Sequence, residues 1–200
     1  MMKFCLGVLV LLFGFSALAA DSGHAHKSKP ESKYAGQEMR EIKSLSSDDM
    51  AELRRGGGWG LAKAAELNGV PGPAHLLELK KEIALDPDQI TVITELFQTM
   101  KAQAIAQGEK LIGQERQLEE MFKGGTITDA SLRTSLAAIA ETRRELRYSH
   151  LATHLKTPTI LSVDQIKNYN ALRGYGAGDP CANVPKGHDA EMWRKHNGCT

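Results

Sequence analysis

Aromatic residues are scarce in this chain: five Phe, four Tyr and two Trp in 200 residues. Runs of β-branched residues are few too, and no segment reads as a strand, which argues against a β architecture. Neither charge prevails. Lys and Arg number 25, Asp and Glu 24, and the formal net charge is +1. A nucleic-acid binder would carry a clear basic excess, so nucleic acid is not an expected partner. Beyond residue 20 no apolar run is long enough to cross a bilayer. Catalytic signatures are missing as well. There is no His-Glu-x-x-His and no Gly-x-Ser-x-Gly, and Gly56-Gly57-Gly58-Trp59-Gly60 lacks the lysine and following Ser or Thr of a phosphate-binding loop. The expectation is a protein that is not an enzyme.

Residues 1–20 read as a secretory signal peptide. Lys3 supplies the positive start, Cys5 to Phe15 the short apolar run, and Ala17-Leu18-Ala19 the small residues before a cleavage site. The mature chain is then expected in the periplasm, with no transmembrane segment. Removing Cys5 leaves Cys181 and Cys199, an even pair in an oxidising compartment. A disulfide between them would close the C-terminal segment, 175–200, and stabilise it by about 3 kcal/mol. The alternative is a pair of thiols on a soft metal. Residues 21–44, polar and without apolar period, read as a disordered tail carrying His24 and His26.

Helix formers fill the middle: Ala, Leu, Glu, Gln, Lys and Arg. The hexapeptide Leu85-Asp-Pro-Asp-Gln-Ile90 recurs as Leu161-Ser-Val-Asp-Gln-Ile166. Each copy is a device for starting a helix. Asp86 and Ser162 are N-caps, and Gln89 and Gln165 close capping boxes. Leu85 with Ile90, and Leu161 with Ile166, form hydrophobic staples. Pro87 sits where its missing N–H costs nothing. A weaker version begins at Leu45, with Ser46 as cap and Met50 opposite Leu45.

From Asp86 the apolar residues Ile90, Ile93, Phe97, Met100, Ala104, Leu111, Leu118 and Met121 step by three and four, as one long helix ending at Lys123-Gly124-Gly125. Such a helix is about 55 Å long. Gly108 and Gly113 are soft spots within it. Thr128 caps a second helix running to about Lys156, with an apolar side of Leu132, Leu136, Ile139, Leu146, Leu151 and Leu155. The short link makes it return antiparallel. A shorter helix starts at Ser162 and stops at Gly174. Upstream, the chain from Ser46 reads as broken helix interrupted by Gly56-Gly57-Gly58, Asn68-Gly69 and Pro71-Gly72-Pro73. The predicted fold is all-α: a long antiparallel helical hairpin with shorter flanking helices, in a domain spanning 45–174.

An export signal, a long helical hairpin and repeated L-[ST]-x-x-Q helix starts together resemble the Spy/CpxP group of periplasmic proteins, which carry the LTxxQ motif. Leu161-Ser162-Val163-Asp164-Gln165 matches it, and Leu85-Asp86-Pro87-Asp88-Gln89 matches with Asp in place of Ser or Thr. The stretch from Ala64 to Leu79 also looks like the start of relatives described as periplasmic heavy-metal sensors or resistance proteins. The resemblance implies a bent, Spy/CpxP-like hairpin that forms a homodimer. It further implies an ATP-independent chaperone that holds unfolded or partly folded clients during envelope stress, a metal-responsive protein of the same fold, or a partner of an envelope stress sensor. The C-terminal disulfide segment departs from the chaperone pattern.

Two kinds of site are legible. His150 and His154, four apart on a predicted helix, share one face and can chelate a divalent transition metal such as Zn, Cu or Ni. His75, after the Pro-Gly-Pro turn, and Glu66 are candidate further ligands if that segment folds back; no cofactor is required otherwise. The competing reading leaves these histidines as core-edge residues. His188, Met192 and His196 form a second possible set, against packing of Met192 and Trp193 on the hairpin. For clients, Phe97 and Met100 interleaved with Arg143, Arg144 and Arg147 offer a mixed apolar and basic surface, unless the apolar pair is buried between the helices.

Overall fold

A computed structural model describes residues 32–175, together with 181, 184, 189–196, 198 and 199. The signal segment, most of the tail with His24 and His26, and His188 lie outside the described residues, as does the side chain of His196. The chain divides into two compact units, residues 1–36 and 37–200. Of the first, residues 32–36 form a turn in which Ala35 N–H donates to the Ser32 carbonyl at 2.9 Å.

In the second unit every regular element among the described residues is helical. These are α1 (Ser47–Arg54), α2 (Lys63–Glu66), α3 (Pro73–Glu78), α4 (Pro87–Lys123), α5 (Asp129–Lys156), a 3-10 turn (Thr157–Thr159), α6 (Val163–Leu172) and α7 (Ala190–His196). The all-α expectation holds. None of these helices is long and apolar enough to cross a membrane.

The starts of the main helices follow the sequence. Ser46, Asp86, Thr128 and Ser162 each cap a helix through a complete capping box, and Pro87 occupies the first turn of α4. Each cap satisfies amides that would otherwise be orphaned, an effect of about 0.5–2 kcal/mol. α4 runs 37 residues without a break and ends at Gly124, and Gly125 turns the chain with φ 63°. α5 then packs along α4. Arg143 reaches Glu115 at 3.0 Å, while Ser149, Ala152 and Thr153 share a groove with Val92, Leu96 and Met100.

Two apolar cores result. One gathers Ile42, Leu45, Met50, Leu53, Ala104, Leu111, Ile112, Ile139 and Leu146. The other gathers Leu76, Ile83, Leu85, Ile93, Leu161 and Tyr169, with Ile90 and Ile166 against them. The staples of both hexapeptides therefore serve one core, where each fully buried Leu or Ile contributes about 1.5–3 kcal/mol. Along α4 the changeover between cores falls between Ile93 and Ala104. After Leu146 the buried face of α5 turns polar, with Ser149, His150, Thr153, His154 and, just beyond, Thr157.

Two expectations are corrected. The polar stretch ending at residue 44 is not free over its last part. Ile42 is fully buried, and Glu41, Lys43 and Ser44 bond to Arg116, Glu119 and Glu115 of α4. Hydropathy missed this because one isoleucine anchors a segment whose other contacts are polar. Second, Leu136 and Leu155, assigned to the apolar side of α5, are 49% and 76% exposed. The helix buries threonine, serine and histidine instead. For Met100, left open between a client surface and burial, the structure gives burial, at 6% exposure. This residue lies on the stripe of α4 that faces α5.

Near the C-terminus Cys181 and Cys199 are bridged, with their Cα atoms 5.5 Å apart, so neither is a free thiolate. Met192 of α7 is 65% exposed.

Candidate functional site

The residues from Val70 to Pro73 bring the site together. Thr157 Oγ1, at the end of α5, donates to the Pro71 carbonyl at 2.6 Å, and His154 Nδ1 lies 2.9 Å from the Val70 carbonyl. These bonds span 86 and 84 positions of sequence. They fasten the Pro-Gly-Pro turn onto the polar end of α5. Gly72 is needed there for space. A Cβ at 72 would stand 2.8 Å from His154 Nε2 and 3.5 Å from Glu66 Oε1.

A cleft of about 640 Å³ opens beside this turn. Glu66, His75, His150 and His154, the four residues nominated from the sequence as a metal set, all line it. Glu66, in α2, lies at the centre of a hydrogen-bond network. Tyr169 of α6 donates its hydroxyl proton to the carboxylate, 2.8 Å from each oxygen, and His75 Nδ1 lies 2.6 Å from Oε1. Burial pushes the Glu66 carboxyl up, but the hydrogen bonds from His75 and Tyr169 outweigh it and the net direction is down. Glu66 is therefore ionised at neutral pH. Burial, reinforced by that carboxylate, pushes the Tyr169 phenol well above its ordinary range.

The three histidines differ in what holds them. A carbonyl only accepts, so the Val70 bond puts the proton of neutral His154 on Nδ1 and leaves a lone pair on Nε2. The ionised Glu66 fixes His75 in the same way. His150 is 4% exposed, and its Nε2 is buried without a hydrogen-bond partner. Burial lowers its pKa and neighbouring His154 lowers it further, against a weaker opposing pull from Glu52. The arrangement supplies three imidazoles, two of them anchored through Nδ1 by an oxygen. Metal-binding histidines are oriented in this manner, through the nitrogen that does not bind. Among the described residues no three His, Cys, Asp or Glu side chains already converge in ligand geometry. Binding an ion therefore requires at least one imidazole to rotate.

The residues proposed for clients are distributed differently. Phe97 and Met100 line the histidine cleft. Arg143 bonds Glu115 and lies over the Trp59 ring, 5.3 Å from its centroid. Arg144 pairs with Glu141 and Glu145, and Arg147 is exposed. Sequence reasoning missed Tyr169 and Arg173. Their signal is weak: both follow Gln165 at steps of four, Tyr169 within α6 and Arg173 at its C-cap.

Compared with family models, with curated proteins and with solved structures, the chain matches none.

Proposed function

We propose that this chain is an exported binding protein of the LTxxQ type, a long antiparallel hairpin with flanking helices, that takes up a divalent transition metal in the periplasm. His75, His150 and His154 are the ligands. Glu66 orients His75 in place of binding the ion directly. One observation carries the reading: three histidines line one cleft, two of them anchored at Nδ1, while the third has a buried nitrogen without a partner. A buried polar atom left unsatisfied calls for a missing partner, and an ion is one. Titration of the metal-stripped protein with zinc, copper and nickel tests this. Saturable one-to-one binding is expected, lost in a folded His150→Ala/His154→Ala double variant. Binding no tighter than the variant's ends the reading.

Holding of unfolded clients is the second reading, and the homodimer belongs with it. It is favoured by a groove of about 390 Å³ between α4 and α5, lined by Val92, Leu96, Met100, Tyr148 and Ala152. Suppressed aggregation of a denatured client at stoichiometric dose supports it. No suppression at tenfold excess removes it.

A further inference from the structure

We propose that the cleft also holds a small planar organic carboxylate, its charged end on Arg173, Lys63 and Lys101 and its body against Trp59, Phe97 and Tyr175. All six residues line the cleft. Its volume, about 640 Å³, is far more than a single ion fills and lies in the range of small-molecule sites.

The charges point to an anion. Among the described residues no carboxylate lies within ion-pair distance of Arg173, Lys63 or Lys101. The other charged groups of the cleft are mostly committed. Glu66 accepts from His75 and Tyr169, and Glu52 pairs with Arg55. That leaves three cations against two carboxylates, Glu78 and Glu66, whose hydrogen bonds do not cancel its charge. Arg173 is the most specific of them. Its Nε is buried with no acceptor, and its one hydrogen bond runs from Nη2 to the Tyr175 hydroxyl at 3.2 Å. The guanidinium lies over the Tyr175 ring, 5.6 Å from its centroid, and a turn of the side chain that brings Nε to the cleft would let a carboxylate satisfy this costly unpaired donor.

The wall is preformed. Trp59 sits at φ 42°, a conformation rare for a bulky residue and held only where surrounding contacts compel it. Those contacts are the indole N–H donating to Asp49 at 2.8 Å and Arg143 over the ring. An indole fixed in this way offers apolar surface at little cost in conformational entropy. The inference does not rest on a metal, because the cations are the protein's own.

Equilibrium dialysis with 2-naphthoate and its neutral analogue 2-naphthalenemethanol tests it, on protein treated with EDTA. Naphthoate is expected to saturate one site and to bind at least about tenfold more tightly than the alcohol, the effect of one favourable charge contact. Arg173→Gln should lose about tenfold in naphthoate affinity and leave the alcohol unchanged. Should that variant unfold, Lys63→Gln/Lys101→Gln carries the same requirement, at positions that are exposed and half-buried. Non-saturable binding, equal affinity for the two probes, or full naphthoate affinity in a folded charge variant overturns the proposal. So does binding that appears only when metal is restored, because the carboxylate would then sit on the ion.

Discussion

Gln89 and Gln165 hold each other through paired side-chain amides, each Nε2 donating to the other's Oε1 at 2.9 Å. Each amide also accepts from its own N-cap, Asp86 N–H at 3.1 Å and Ser162 N–H at 2.9 Å. Each donates once more, Gln89 to the Ile160 carbonyl and Gln165 to the Ala84 carbonyl. Ile160 and Ala84 are the residues immediately before the two hexapeptides. The two copies therefore meet with local twofold symmetry, and both amides are fully satisfied. The repeat is a helix start used twice and then paired with itself.

Removing one glutamine leaves its partner half-satisfied. Gln89→Ala or Gln165→Ala should each cost about 1–3 kcal/mol. The double variant should cost less than the sum by at least about 0.5 kcal/mol, because the shared bonds are lost only once. Urea denaturation of the four proteins checks this, and strict additivity would contradict the pairing.

Gly108 and Gly113, alike in sequence, should respond oppositely to alanine. A Cβ at 108 would lie 2.5 Å from the Leu53 carbonyl oxygen, a backbone atom that cannot step aside, whereas nothing stands within 4 Å at 113. Gly113→Ala should stabilise by about 0.5–1 kcal/mol through helix propensity alone. Gly108→Ala should destabilise, by about 1–3 kcal/mol if α1 is forced outward. Thermal melts of the two variants decide it.

Tyr169 is fully buried and its hydroxyl is the donor to both oxygens of Glu66. Tyr169→Phe keeps the ring and removes the donor, so a loss of about 1–3 kcal/mol is expected. Glu66, left with His75 as its remaining donor, should then titrate higher than in the parent. Carboxyl NMR shifts against pH report that, and an unmoved Glu66 titration would show that Tyr169 does not hold it.

His150 makes stability fall on mild acidification. Its pKa is lowered from the ordinary 6.5, so as pH drops the unfolded chain takes up the proton before the folded one does. The stability is whole above 6.5 and declines below it, down to the folded pKa. Denaturation midpoints measured from pH 8 to pH 5 should fall across the acid part of that range. His150→Gln should flatten this part of the profile, and an unchanged slope would exclude His150 as its source.

Capping explains why so much of the fold was readable. Ser46, Asp86, Thr128 and Ser162 act on amides within three residues of themselves, so their effect is local and visible in sequence. The His150–His154 pair was visible for the same reason, since four residues return to one face of a helix. The exposed Leu136 and Leu155 and the buried Ile42 were not, because which helix face is covered depends on a segment many positions away.

The sequence by itself determined the main helices, their caps and the turn at Gly124-Gly125, each set by short-range backbone chemistry. Only the tertiary structure decided that Glu66, His75 and His154 line one cleft with Tyr169 bonded to Glu66, that Gln89 meets Gln165, and that Arg173 Nε lacks an acceptor. Apart from Glu66 and His75, nine positions apart, the bonded pairs cross 76 to 103 positions. Contacts at that range depend on how the helices dock, which no local preference specifies.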